Sequence, residues 1–416
     1  MNVKKSLSML LVYVLLLTIA PIDFLVSQVQ AEGKFTSNYQ SGGIINYNNN
    51  YGTQNYNGNY GFGNYNLNYL YQSMYIHNVD KDKDSIIVVA SDETKNYLTK
   101  KIVKINADGT SKTISTNIQN KYDNYIGVKN GKAYYYSQGH NYGYNVITNY
   151  GYNYSYNFNY NYNTYDYSGI YGSIKSIDLK NGKEKKEYDV KIPTLNNITY
   201  LYLNTNEALQ KDGSIVIGLY YNTSFYEKFA GGSYLLTFKN NKESIINLKE
   251  KGIPEVRGFD TDSKGNIWTS SPSNYSLVKI DKNNNVSTYK VDMPNDYAFV
   301  YSGLKIDNQD NIWLTVYRYD YSNWTYNRGV MKVSIKGDKA TSKLYGSDNG
   351  LSRATKIDID KKGQIWILDG GAVKKLEKDQ FITKYRFNTE YASDFIVIDD
   401  KHLLVVDYTG YMYINK

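Results

Sequence analysis

Asp262-Ser-Lys-Gly-Asn-Ile-Trp268 decides the fold, because the chain repeats it. The phrase returns as Asp307-Asn-Gln-Asp-Asn-Ile-Trp313 and again as Asp360-Lys-Lys-Gly-Gln-Ile-Trp366. The tryptophans stand 45 and 53 residues apart, which is the length of one blade of a β-propeller. Working outward, each unit reads as four short strands. The turn between the last two is marked by Asp108-Gly109, Asn181-Gly182, Asn240-Asn241, Asn283-Asn284-Asn285, Gly337-Asp338 and Asp379-Gln380. Asn and Gly supply the positive φ angles of tight hairpins, and no helical periodicity separates them.

Seven second strands can be counted: 85–90, 132–137, 214–219, 266–269, 311–315, 364–368 and 402–406. The last unit ends after three strands, so its fourth is expected from residues 44–71. Such an overlap removes two free sheet edges. The expected fold is therefore all-β, a β-propeller of seven four-stranded blades over 73–416 closed by an N-terminal strand. Units two and three are irregular and leave six or eight open. The repeated tryptophans are expected to pack between adjacent blades, with the Asp and Gly before them setting the hairpin.

The chain carries 48 Lys and Arg against 40 Asp and Glu, a net charge of +8. Residues 1–31 read as a secretory signal peptide. Lys4 and Lys5 precede an apolar run from Leu7 to Ala20, and Val29-Gln-Ala31 is a small-residue cleavage site. The apolar run falls short of a membrane span, and no later segment is apolar enough for one. The mature chain would begin near Glu32 with a charge of +7. That mild excess favours anionic cell-wall surfaces. Without a dense Lys/Arg cluster it does not point to nucleic acid. There is no cysteine, which excludes disulfides, thiolate metal sites and a lipidated cysteine. Asp80-Lys-Asp-Lys-Asp84 alternates carboxylates as a calcium loop does, but it lacks the Gly and the distal Glu. No metal or other cofactor is expected.

The stretch Pro254-Glu-Val-Arg-Gly-Phe-Asp-Thr-Asp-Ser-Lys-Gly-Asn-Ile-Trp268, matched by Ser302-Gly-Leu-Lys-Ile-Asp307, resembles secreted bacterial propellers of the streptogramin-lyase-like, NHL-like and two-component-regulator group. The resemblance extends over 73–416 and is strongest from 254 to 370. It implies a propeller; members of this group bind, sense or catalyse. The lyases in it use histidine and glutamate with a divalent metal near the ring axis. This chain has only His77, His140 and His402. They are expected on a first strand, in an insertion and at a turn of the opposite face. No catalytic residue is assigned, since a nucleophile triad would also need one of these histidines. A pair of carboxylates set for glycoside hydrolysis cannot be read from spacing.

The loops after second strands share one face with the links between blades, and three of them are aromatic. In blade two the insertion 140–168 contains Tyr150-Gly-Tyr-Asn-Tyr-Ser-Tyr-Asn-Phe-Asn-Tyr-Asn-Tyr162. Three readings stay open for it: a binding hairpin, a self-association tract, or a passive low-complexity insertion. The arm 32–72 shares its bias. Blade three offers Tyr220, Tyr221, Phe225 and Tyr226. Blade five offers Tyr317, Arg318, Tyr319, Tyr321, Trp324 and Tyr326, with Trp324 the one tryptophan outside the repeat register. Arg257 and Arg353 begin first strands and are placed at the channel mouth, where an arginine holds carboxylate or phosphate bidentately.

Tyr, Trp and Asn together suit carbohydrate, through stacking and hydroxyl partners, and also suit protein contact. The expectation is a secreted, non-catalytic binding or scaffold propeller at the cell surface, taking polysaccharide or cell-wall glycan, or else a surface protein. The alternatives are a streptogramin-lyase-like lyase or hydrolase at the same face, and a self-associating matrix or coat component.

Overall fold

The protein is described by a computed structural model covering 65–66, 74–83, 85–92, 99–105, 111–115, 123–138, 165–198, 202–222, 231–293, 297–320, 325–387, 392–397, 403–407 and 412–414. The signal-peptide reading, nearly all of the arm, His140, His402 and most of the insertion 140–168 lie outside the described residues.

The strand β1 (Tyr65–Asn66) comes first in the chain. Blade one then follows as β2 (Met74–Asp82), β3 (Ser85–Asp92), β4 (Thr99–Ile105) and β5 (Ser111–Ser115). Blade two is β6 (Asn124–Lys129), β7 (Lys132–Gln138), β8 (Tyr165–Asp178) and β9 (Glu184–Ile198). Blade three is β10 (Tyr202–Leu209), β11 (Ile215–Asn222), β12 (Gly232–Lys239) and β13 (Lys242–Asn247). Blade four is β14 (Arg257–Thr261), β15 (Ile267–Ser271), β16 (Ser276–Ile280) and β17 (Val286–Lys290). Blade five is β18 (Ala298–Ile306), β19 (Ile312–Asp320), β20 (Thr325–Lys336) and β21 (Lys339–Tyr345). Blade six is β22 (Ala354–Ile359), β23 (Ile365–Asp369), β24 (Ala372–Glu377) and β25 (Gln380–Arg386).

Each of these six blades is an antiparallel sheet of four consecutive strands, so the all-β propeller is as expected. The count of seven is not met by consecutive strands. The strands β26 (Ala392–Val397), β27 (Leu403–Asp407) and β28 (Met412–Ile414) form a sheet whose fourth member is β1, paired Tyr65 to Ile414 and Asn66 to Tyr413. The inner strand β26 packs on β22 at one side and on β2 at the other, which closes the ring.

The repeated phrase does two jobs. The Asp262, Asp307 and Asp360 carboxylates each accept the indole N–H of the tryptophan six residues on, at 2.9 Å in all three units. Each also accepts backbone N–H groups of its own turn. The turn and the tryptophan are thereby locked together. The rings then fill the space between blades. Trp268 packs on Phe299, Leu304 and Ile312 of blade five, Trp313 on Ala354, Ile357 and Ile365 of blade six, and Trp366 on Phe395 and Val405 of the closing sheet. Lys279, Lys332 and Lys375 lie over the three rings.

One hairpin shifts by a residue from the sequence reading. The turn of blade six is Lys378-Asp379, with φ of 48° and 66°, and Gln380 already belongs to β25. Lysine carries the left-handed conformation there because the two-residue connection demands it of whatever residue occupies the site.

Candidate functional site

Blade five stands taller than blade six, and the difference makes a step on the face of the second-strand loops. The sequence suggested a loop over 317–326. The structure instead continues β19 and β20 upward as a hairpin, pairing Trp313 with Lys332, Thr315 with Val330, Tyr317 with Arg328 and Tyr319 with Tyr326. Residues two apart on a strand share a face, so these pairs form one column. Its lower part, with Trp313 and Val330, is covered by blade six. Blade six turns back early, with Asp369 already opposite Ala372. The upper part of the column rises above that turn.

Tyr319 and Tyr326 meet at 4.8 Å between ring centroids, and Tyr317 and Tyr326 at 5.9 Å. Tyr326 is 57% exposed, beyond any other large hydrophobic among the described residues. Arg328 sits beside Tyr317 and bridges Arg353 through the backbone, where blade six begins. Arg353 is exposed. Beneath it Asp369 is buried, accepting the Ser352 N–H at 3.0 Å, the Arg353 N–H, and the Lys374 ammonium. Its charge is neutralised inside the protein.

The other predicted site residues divide. Arg318 faces away from the step and lies over the Tyr297 ring at 5.6 Å, on the side of blade four. Arg257 begins β14 as expected, with its Nε 3.5 Å from the Glu255 carboxylate. Tyr221 is a core residue, only 6% exposed and stacked on Tyr234 at 5.7 Å. Burial, with Tyr234 adding to it, pushes its hydroxyl up to about 12. Tyr220 is half-buried on β11. Phe225, Tyr226, Tyr321 and Trp324 lie outside the described residues. The structure thus brings Tyr317, Tyr319, Tyr326 and Arg353 together and leaves Arg257, Arg318, Tyr220 and Tyr221 elsewhere. Arg328 and Tyr275 were not anticipated. Tyr275, 43% exposed, closes the second-strand loop of blade four with a φ of 50°, which is uncommon for an aromatic residue. Its ring meets Phe299 edge-on at 6.5 Å.

A second polar constellation lines the ring axis. Asp80, Asp260, Asp358 and Asp394 repeat one pattern on four inner strands. One oxygen takes the N–H of the following residue, at 2.7–2.9 Å. The other takes an N–H of the next inner strand, from Val128, Ile306, Val397 and Val79 respectively. The carboxylates therefore stitch blade to blade. Lys305, in place of an aspartate on blade five, is exposed on its inner strand. Burial pulls its pKa down, but Asp260, Asp358, Asp80 and Asp394 more than compensate and hold it above the ordinary lysine value. Burial raises Asp80 and Asp358 above the usual carboxylate range.

This also accounts for the alternating carboxylates at 80–84. Asp80 accepts from Tyr125 and Val128, while Asp82 accepts the N–H groups of Asn130 and Gly131 at 3.0 and 2.5 Å. Both fasten blade two to blade one, and Asp84 lies outside the described residues. Among the described residues no group of three or more His, Asp or Glu is arranged to hold a metal. His77 falls on the first strand β2, as expected.

Comparisons with solved structures match this architecture. A streptogramin B lyase superposes with a TM-score of 0.54 at 14% identity, covering 85% of this chain and 97% of the other. A catalytically inactive virginiamycin B lyase from Staphylococcus aureus, solved with quinupristin, gives 0.52 at 14%, with 85% and 99% covered. YCF48 from Cyanidioschyzon merolae gives 0.50 at 8%, with 85% and 98% covered. At such identities the likeness is one of fold, and this chain has the propeller fold of streptogramin B lyase-like proteins. No protein family matches the sequence, and no curated protein matches it.

Proposed function

We propose that this chain is a secreted, non-catalytic propeller that binds glycan at the cell surface through the step between blades five and six. The observation that carries the reading is the cluster of Tyr317, Tyr319 and Tyr326, which rises above the turn of its shorter neighbour with the Tyr326 ring exposed and Arg328 across the ladder from Tyr317. Tyrosine rings stack on the apolar face of a sugar while their hydroxyls serve its polar edge. The signal-like residues 1–31 support secretion, and the excess of basic residues suits anionic wall polymer. In this reading the sheet of β26, β27, β28 and β1 is the seventh blade, closed by the N-terminal strand. A cofactor has no part in it.

Co-sedimentation tests it. The purified protein and a Tyr319→Ala/Tyr326→Ala variant are spun with cell walls and with insoluble polysaccharides. Pelleting of the parent and its loss in the variant support binding at the step. Equal pelleting of both moves the site elsewhere. Release of soluble sugar during incubation replaces the binder with a lyase or hydrolase. Pelleting without any polysaccharide, abolished by deleting 140–168, replaces it with a self-associating matrix component.

A further inference from the structure

We infer that the seam between blades four and five, on the other side of the raised hairpin from the step, is a second ligand site, and that it takes a carboxylate-bearing sugar ring. Its two contacts are Tyr275 and Arg318. Tyr275 closes a short 3-10 turn over Pro272–Asn274 in the left-handed conformation. Two similar turns, Lys249–Lys251 and Ser347–Asn349, are closed in the same conformation by Gly252 and Gly350, the residue type that adopts it without strain. A tyrosine in that position costs stability and persists only where its surroundings impose it. Its N–H donates to Pro272 and its carbonyl accepts from Val291. The backbone is thereby fixed, and the ring is held at the surface, 43% exposed.

The Tyr275 ring rests edge-on against Phe299. Tyr297, two residues earlier, points the same way, and both pack on Trp268 of blade four. Arg318 lies over the Tyr297 ring, so it stands with Tyr275 along one seam, half-buried. A ring face attracts the guanidinium charge but accepts none of the in-plane N–H bonds that a guanidinium makes best to a carboxylate. Among the described residues Arg318 meets that ring and no acid. Glu255, which accepts the Ser273 hydroxyl of the same turn, is already paired with Arg257. The exposed tyrosine supplies a stacking face for a pyranose, and the arginine fork takes the acid group on that ring. Neither group belongs to the step.

Calorimetric titration with digalacturonate and with its dimethyl ester, which keeps the rings and removes the charge, tests the site at physiological ionic strength. The acid is expected to bind at least about tenfold tighter than the ester, the worth of one charged hydrogen bond. Arg318→Gln should equalise the two. Tyr275→Asn removes the ring and suits the left-handed backbone, so it should weaken both ligands while Tm holds or rises. Lys264→Gln/Lys361→Gln, which removes two charges from the opposite face, should leave the preference for acid intact. Equal binding of acid and ester, an acid preference that survives Arg318→Gln or is lost equally in the lysine variant, or full binding by Tyr275→Asn would each overturn the inference. If polysaccharide pelleting is lost in Tyr319→Ala/Tyr326→Ala but neither small ligand binds, the step stands and the seam falls. If nothing pellets but the acid binds with these dependences, the step falls and the seam stands.

Discussion

Replacing Lys305 with methionine should destabilise the protein in a pH-dependent way. Its ammonium faces four carboxylates, those of Asp260, Asp358, Asp80 and Asp394. Losing one partner of a fully buried ion pair costs about 3–5 kcal/mol. Lys305 is exposed, and screening by solvent reduces such contributions. The expected loss is therefore nearer about 2 kcal/mol at neutral pH.

The sign with pH follows from the neighbours. Asp80 and Asp358 have folded pKa values raised by burial. Such groups stabilise most below the ordinary value of 3.8, and that contribution is lost as pH rises through the raised value. Lys305 restrains both shifts, so its removal raises them further. The penalty is then fully felt at neutral pH and fades as the two acids take up protons. Lys211, 3.8 Å from Asp260, and Lys356, 2.8 Å from Asp394, also lie beside these acids, and both stay in place. Urea unfolding followed by tryptophan fluorescence, at neutral pH and near pH 4, measures the effect. An equal loss at both pH values, or none at neutral pH, refutes the account of Lys305 as the common counter-charge.

Trp313→Ala removes a ring that is 2% exposed and wedged against blade six, and should cost about 3–5 kcal/mol in denaturant unfolding; a loss below about 1 kcal/mol would mean that the blades do not rely on that wedge. Gly218→Ala places a Cβ 2.6 Å from Phe259 and 2.8 Å from Val256 of blade four, and overpacking there should cost about 1–3 kcal/mol in thermal unfolding. At the edge of blade three, burial opposes ionisation of Asp212, but hydrogen bonds from Lys239 and Ser214 outweigh it and hold the pKa at about 2. A depressed acid contributes stability above its unfolded value and loses it as pH falls through the folded one. Asp212→Asn should therefore flatten the decline of Tm between about pH 4 and pH 2.

The scaffold was legible because its signals are local. An aspartate six residues before a tryptophan, closed by a tight turn, fits within one hairpin, so the repeat could be read without knowing what each blade touches. The same holds for the Asn-rich outer turns, where positive φ falls on Asn240, Asn241 and Asn284. The shift at Lys378-Asp379 shows the limit of that reading: residue preference marks a turn, while the register of the flanking strands decides which two residues make it.

The site was only partly legible because its geometry is a difference between neighbours. Alternating tyrosines read alike in a loop and in a strand, so nothing local distinguished the exposed column of blade five from the packed Tyr221 of blade three. What separates them is the level at which the adjacent blade turns back, and that depends on Gly370 and Gly371 in blade six, far along the chain. Arg328 was passed over for the same reason, since its partner Arg353 belongs to another blade. The axial aspartates could have been found, however, because Val79-Asp80, Phe259-Asp260 and Ile357-Asp358 place an acid after an apolar residue on three first strands. Each occurrence alone looks like an ordinary half-exposed strand residue. Superposing the units shows the acid recurring on the inner strand, and Lys305 breaking the series with a cation that faces all four carboxylates. In a closed ring of similar blades, a position that repeats reports on how blades are joined, and the positions that depart from the repeat are where a propeller of this kind has room for a function of its own.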